Sequence, residues 1–527
     1  MAEVLPERIQ ASSSQSTAPS IPPPLIFDND YPDIPNVLSP NGGDDSPSSS
    51  EFAKLKGHES ISSDGHPLDT VIPHEHDHRT LVLCFDGTGD QFDGDNSNIV
   101  QFFSMLKKDD MSQQMVYYQA GIGTYTVPQI ATPFMASVSK TLDMMIGIHL
   151  NAHVMGGYEF LMQNYQAGDK ICIFGFSRGA YTARALAGML YKVGLLPVCN
   201  HQQVPFAYHM YCQDDKAGWT QSTAFKKTFS INVKVEFLGV WDTVSAVGFL
   251  PRRLPFTKAT TNVGFFRQAV SLDEHRVRFK PVNWTWPKGE KDLGVPDHEM
   301  PRSRKKHRDG SLIALEREHT MWDERTTDVE EVWFAGCHCD VGGGSVKNGT
   351  RNSLARIPLR WMIRECFKAK SGILFHGEMF KSIGLDPDSV FPEVKERPPP
   401  IFQDPSIPRT RAPNDPRYDT SEAKEFVSEE EEDLADVLSP IYDQLVLAKG
   451  WWFLEMTPQK QHYQREEGTS WVEDWTINMG SGRHVRRQKK DGVKIHRSVK
   501  IRMEADGLLG GKYWPKAKLK VEPKWVG

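Results

Sequence analysis

The residues that could do chemistry begin with Gly175-Phe176-Ser177-Arg178-Gly179. A serine hydroxyl is a weak nucleophile until a base takes its proton and oriented N–H groups receive the oxyanion. Gly-x-Ser-x-Gly meets part of that need when it joins a strand to a helix. The turn is then so tight that glycines must flank it, and the serine stands at a helix N-terminus. Two further residue types must follow, a carboxylate and a histidine, and both do. Asp242 ends the apolar stretch Val233 to Trp241, and His338 lies in Cys337-His338-Cys339-Asp340-Val341-Gly342-Gly343-Gly344. Ser177, Asp242 and His338 thus keep the chain order of an acyl-transfer site: nucleophile, acid that orients the imidazole, and general base. The oxyanion donors predicted are the N–H groups of Arg178 and of Gly87 and Thr88, in the turn Asp86-Gly87-Thr88-Gly89-Asp90.

Other assignments compete for the same residues. Asp86, Asp340 and His496 are expected to line the site, with Asp340 a rival for the acid and His496 a reserve for the base. Asp86, Asp90, His338 and Asp340 could instead serve metal-assisted hydrolysis, although consecutive residues such as Cys337 to Asp340 converge poorly on one ion. The run His74-Glu75-His76-Asp77-His78 lacks a spaced second pair of ligands and reads as a linker. A third alternative is a non-catalytic interaction or scaffold module. No cofactor or metal is expected.

The elements that must position these residues are legible as periodicity. Leu81 to Phe85, Met115 to Tyr118, Ile171 to Phe174, Val233 to Trp241 and Glu331 to Gly336 are short apolar runs closed by turn residues. Between them, Asn96 to Leu106, Ser137 to Tyr165, Ala180 to Val193 and Arg356 to Lys368 carry helical spacing. Alternating strands and helices imply right-handed crossovers and a mostly parallel sheet covered on both faces, an α/β fold. Residues 199–229 show no clear period and read as a cap over the site. Trp284, Trp286 and Phe265 are candidates for an apolar pocket.

Composition sets the bounds. With 527 residues, 39% hydrophobic and 25% charged, the chain can bury a large core, and a formal charge of −6 argues against nucleic-acid partners. Seven scattered cysteines suit a reducing compartment; the cytoplasm is the expected location. No run is long enough to span a membrane, and Met1 to Ser20 lacks the apolar core of a signal peptide. Residues 1–77 form a Ser/Pro-rich tail expected to be disordered. A hydrolase-like domain is expected over 78–505, with insertions near 199–230, 280–328 and 385–440, and a C-terminal extension over 506–527. The acidic run Glu429 to Asp433 reads as a solvated face or linker. The basic run Arg483 to Lys490 reads as a surface loop, with peripheral contact to anionic lipid headgroups as its alternative.

Five segments together resemble a known family: Phe85 to Thr88, Gly175 to Ala180, Val240 to Val244, Ala269 to Phe279 and Trp333 to Gly344. They are similar to the uncharacterised α/β-hydrolase domain family related to the phospholipase effectors of bacterial type VI secretion. Trp451 to Glu455 and Ile495 to Val499 resemble its C-terminal part. The resemblance implies Ser177 as nucleophile, Asp242 as acid and His338 as base, acting on a lipid or phospholipid ester. Gly89 and Cys339 depart from the family pattern, which often has an aromatic residue and usually a serine there.

Overall fold

The computed structural model describes residues 71–74, 78–121, 150–213, 215–244, 254–257, 262–284, 327–403, 426–464, 471–486, 488–506, 508 and 511–527. Eight parallel strands form one sheet: β1 (Thr80–Phe85), β2 (Gln114–Gln119), β3 (Lys170–Phe176), β4 (Val235–Trp241), β5 (Val263–Ser271), β6 (Asp328–Phe334), β7 (Lys494–His496) and β8 (Lys524–Val526). Their spatial order is β8-β7-β6-β5-β4-β3-β1-β2, so the chain steps outward from β1 to β2, then returns to the other side of β1 with β3. That reversal opens a crevice between the C-terminal ends of β1 and β3, the place where parallel sheets bind ligands. The turn at Asp86 and the Gly-x-Ser-x-Gly turn both open into it.

Strand pleating sorts the side chains into two cores. Leu81, Leu83, Phe85, Ile171 and Ile173 pack on one face under α2 (Leu150–Asn164) and α3 (Ser177–Val193). Val82, Cys84, Cys172, Phe174 and Phe176 pack on the other under α1 (Asn98–Ser104) and α7 (Arg356–Lys368). These strands read as unbroken apolar runs because both faces are covered, and each such side chain contributes roughly 1.5–3 kcal/mol. Residues 137–149 of the expected second helix lie outside the described residues.

Three segments differ from expectation. Residues 199–229 are helical, as α4 (Val204–Cys212) and α5 (Lys216–Phe229), and their Val204, Ala207, Tyr211, Trp219 and Phe225 join the core against α3. Their periodicity was masked because each short helix buries only a few residues. The acidic run is not solvated. It forms α8 (Glu429–Val437), whose Glu429, Glu432, Asp433 and Asp436 are buried against Arg356, Arg360 and Arg364 of α7. The arginines recur every four residues and so share one helix face, while Ile357, Trp361 and Met362 face the sheet core. Finally, the C-terminal residues extend the sheet, with Trp525 of β8 registered against Ile495 of β7.

Candidate active site

Ser177 follows the last residue of β3 and has φ 57°, a left-handed conformation that costs a non-glycine residue energy. Both glycines around it are required by close approach. A Cβ at Gly175 would lie 2.5 Å from Gly179 O, and one at Gly179 would lie 2.3 Å from the carbonyl oxygens of Phe85 and Asp86. Strand, helix and the neighbouring turn therefore pass backbone to backbone. At the start of α3 the N–H groups have no intrahelical acceptor, so that of Arg178 is available beside the serine.

His338 opens a short helix, α6 (His338–Gly342), after β6. Its Nε2 lies 2.8 Å from Ser177 Oγ and its Nδ1 lies 2.5 Å from Asp242 Oδ2. The ring is held by Phe176 and Phe279, whose centroids are 4.7 and 4.9 Å away. Gly342 makes room for this packing, since a Cβ there would meet Phe176 at 1.8 Å. Burial lowers the imidazole's affinity for a proton and outweighs the opposing pull of Asp242, so the ring is neutral at neutral pH. One nitrogen donates to the carboxylate, leaving the other to accept from the hydroxyl.

Asp242 is fully buried, which by itself would raise its pKa. Arg483 and then the hydrogen bond from His338 overcome this and hold the carboxyl well below the usual carboxylate range. Arg483 donates from Nη1 to Oδ1 at 2.6 Å and from Nη2 to Oδ2 at 2.9 Å, and Ser271 N–H donates to Oδ1 at 2.9 Å. The same two nitrogens of Arg483 also donate to the carbonyls of Ser271 and Phe279. The basic run that contains it is therefore not wholly a surface loop: Arg483 is buried against the acid. Sequence reasoning missed this residue because nothing in a run of cations marks the one that turns inward.

Glu274 was missed too. It accepts from Arg276 and from His338 N–H, at 3.4 Å, and so steadies the histidine turn. The segment Leu272 to Arg276 was visible in the family resemblance, without a role for any one residue.

The turn after β1 is built around Asp86. Its Oδ1 accepts from Gly87 N–H (2.8 Å) and Ser97 Oγ (2.6 Å), and its Oδ2 from Tyr118 Oη (2.7 Å). The Gly87 N–H is thereby engaged within its own turn. Thr88 Oγ1 is buried with no hydrogen-bond partner. Asp340 does not join the serine and histidine: its Oδ2 accepts from the N–H groups of Cys337 and Tyr442, which closes the turn. His496 is likewise occupied elsewhere, stacked on Phe334 at 4.9 Å and bonded to Ser498. Among the described residues no three His, Cys, Asp or Glu side chains gather as a metal would require. Trp284 packs on Phe266 in the core, Phe265 lies under Arg267, and Trp286 lies outside the described residues. The aromatic side chains beside His338 are instead Phe176, Phe279 and, behind Phe279 at 5.6 Å, Trp451.

The chain is 27% identical to the Saccharomyces cerevisiae protein "Uncharacterized protein YEL023C", over 82% of this chain and 80% of that one. A crystal structure of an uncharacterized protein from Pseudomonas aeruginosa aligns over 56% of this chain at 17% identity and a TM-score of 0.30. The Tle1 effector bound to the VgrG spike of the type 6 secretion system aligns over 51% at 18% identity and a TM-score of 0.26. The chain spans about half the length of these two solved chains, 46% and 51%. The family model for the catalytic domain of Tle1-like phospholipase effectors of type VI secretion matches residues 79–365, more than half of the sequence, and the chain belongs to that family.

Proposed function

We propose that this chain is a serine hydrolase of carboxylic esters, and that its substrates are lipid or phospholipid esters. The observation that carries the reading is the unbroken hydrogen-bonded line from Ser177 Oγ through His338 to Asp242. Ser177 Oγ attacks the ester carbonyl carbon as His338 Nε2 takes its proton. The N–H groups of Arg178 and Thr88 receive the oxyanion. Collapse of the tetrahedral adduct breaks the carbon–oxygen bond to the leaving alcohol, which takes its proton from His338. Water, deprotonated by the same nitrogen, then releases the acid from the acyl-enzyme. Asp242 stays ionised throughout and stabilises the imidazolium. The family's phospholipase members favour a lipid ester, and the aromatic flank formed by Phe176 and Phe279 suits an acyl chain. All seven cysteines are free thiols, which fits the cytoplasm as the working compartment.

The test is turnover of short-chain acyl esters and of phospholipids by the protein and by Ser177→Ala, with and without chelator. Activity lost in the variant and indifferent to chelator is expected. The unmodified protein should also be labelled by a serine-directed fluorophosphonate and Ser177→Ala should not. Turnover surviving the substitution would overturn the assignment. A folded protein that neither turns over esters nor takes the label would make the chain a scaffold built on a hydrolase fold.

A further inference from the structure

One cation beside the nucleophile has no part in the hydrogen-bonded line. Arg178 follows Ser177 on α3, and the residue is 5% exposed. Its Nη1 is buried with no hydrogen-bond partner. Three other buried arginines are anchored: Arg360 by Asp433 and Asp436, Arg267 by Glu365, and Arg483 by Asp242. Holding a guanidinium out of water without an acceptor costs stability. Burial pulls the proton affinity of Arg178 down to about 9, so the group is still charged at neutral pH. A rule of folding broken next to a nucleophile points to a ligand.

The guanidinium belongs to the crevice between β1 and β3. Its counter-charge is Asp90, in the turn after β1, and Asp90 acts on it through space alone. A Cβ at Gly87 would lie 2.1 Å from Asp90 Oδ2 and 2.7 Å from Phe176 Cδ1, so carboxyl group and ring converge on Gly87. Phe176 packs in turn on His338. Arg178 and Asp90 thus flank the crevice one aromatic ring from the imidazole. Thr88, between Gly87 and Gly89, adds a second donor without a partner, its hydroxyl Oγ1.

Asp90 does not complete the pair. Burial, then the nearby Asp86, Asp93 and Asp95, push its carboxyl well above the ordinary range against the pull of Arg178. A carboxyl that resists ionisation leaves Arg178 as the charge of the crevice and can itself donate a hydrogen bond. The ligand that suits Arg178 Nη1 and Thr88 Oγ1 therefore carries anionic oxygens. In a phospholipid such a group, the phosphodiester, lies a few bonds from the ester carbonyl. That places it within reach of an arginine side chain whose backbone adjoins the nucleophile. Neutral acylglycerols have no such group. We propose that the Arg178 guanidinium and the Thr88 hydroxyl hold the phosphodiester of the substrate and so select phospholipids over neutral lipid esters. The role in selection rests on the hydrolase reading, but binding of the anionic group does not need turnover.

The experiment uses short-chain lipids below their critical micelle concentration, so that only monomers are present. Dihexanoylphosphatidylglycerol and dihexanoylglycerol share their acyl chains and differ in the phosphodiester. Calorimetric titration of the full chain carrying Ser177→Ala should show the phospholipid bound more tightly. The further substitution Arg178→Met should weaken that lipid by at least about tenfold and the neutral one much less, and Thr88→Val should act in the same direction by a smaller factor. In the catalytic form, Arg178→Met should lower the kcat/KM ratio of the two lipids by a similar factor, through KM, and Arg178→Lys should restore part of it. The melting temperature of Arg178→Met should equal or exceed that of the parent, because no hydrogen bond is lost. Glycerophosphoglycerol should compete with dihexanoylglycerol hydrolysis in the parent and not in Arg178→Met, and more strongly than inorganic phosphate. A lipid preference equal in parent and Arg178→Met would overturn the proposal. Competition by inorganic phosphate alone would also overturn it, by making the site one for free phosphate. Arg178-dependent phospholipid binding without turnover of any ester would overturn the hydrolase reading alone.

Discussion

At the scale of single residues, the unusual partner is Arg483. The acid of the proposed triad must remain charged while buried, and at Asp242 a guanidinium binding both carboxylate oxygens supplies the compensation. Arg483 Nη2 and His338 Nδ1 share Asp242 Oδ2, so the cation opposes a second positive charge on the ring. Arg483→Met removes a positive charge from that surrounding, so the imidazole becomes easier to protonate and the acidic limb of the kcat/KM profile moves to higher pH. Arg483→Lys retains the charge without the fork and should move the limb less. A merely structural role would lower the melting temperature and leave the limb in place. Within the hydrogen-bonded line itself, Ser177→Ala and His338→Ala should each remove roughly 10⁶-fold of kcat, and the double variant should lose no more than either one. That Ser177, Asp242 and His338 lie together was legible from sequence because each closely follows a strand and each is a residue type the proposed chemistry requires. Arg483 could not, because a cation 241 positions from its partner carries no local signal.

At the scale of elements, position depends on what can approach what. The strand-turn-helix at Ser177 was legible since apolar run, paired glycines and small-residue helix are all local features. The acidic helix α8 was not, because Glu429 to Asp433 looks solvated until the arginine ladder of α7 is placed against it. Arg360 donates to both Asp433 and Asp436, at 2.6 and 2.7 Å, with all three side chains at most 2% exposed. Arg360→Ala leaves buried carboxylates uncompensated and should cost about 3–5 kcal/mol of stability in denaturant titrations. The glycine contacts give a second outcome. Gly179→Ala pushes a methyl into backbone oxygens that cannot rotate away, an overpacking cost of about 1–3 kcal/mol or more. It should reduce activity further than its stability loss explains, since α3 carries Ser177. Equal losses in both would mean that the turn tolerates the shift.

For the whole molecule, the buried charges combine into a definite pH dependence of stability. One set of carboxyls is held low in the folded state. Burial opposes the charge at each, but Arg483 and His338 hold Asp242 down, Arg397 and Arg360 hold Asp433 down, and His275 and Lys516 hold Asp443 down. Their contribution is present above the ordinary carboxylate pKa of about 4 and is lost as pH falls through the folded values. A second set is pushed up by burial: Asp340 and Glu331 each to about 7, with Asp86 raised as well. For these the unfolded chain releases its protons first, so stability declines as pH rises from about 4 towards 7. His275 acts in the same sense. Burial works against its charge, yet the hydrogen bonds to Asp443 and Gly480 raise its pKa, and that contribution fades as pH rises through the folded value. These groups by themselves place a maximum between the two carboxylate ranges, while His338 and His496, whose protonation burial disfavours, add a stability that grows as pH rises towards the free imidazole value of about 6.5. Asp340→Asn separates the terms. An amide oxygen still accepts from the Cys337 and Tyr442 N–H groups, but it does not titrate, so the stability of the variant relative to the parent should rise between pH 5 and about 7 while the acid limb stays in place. A difference between variant and parent that stays constant with pH in thermal scans would show that Asp340 is already ionised in the folded protein across this range.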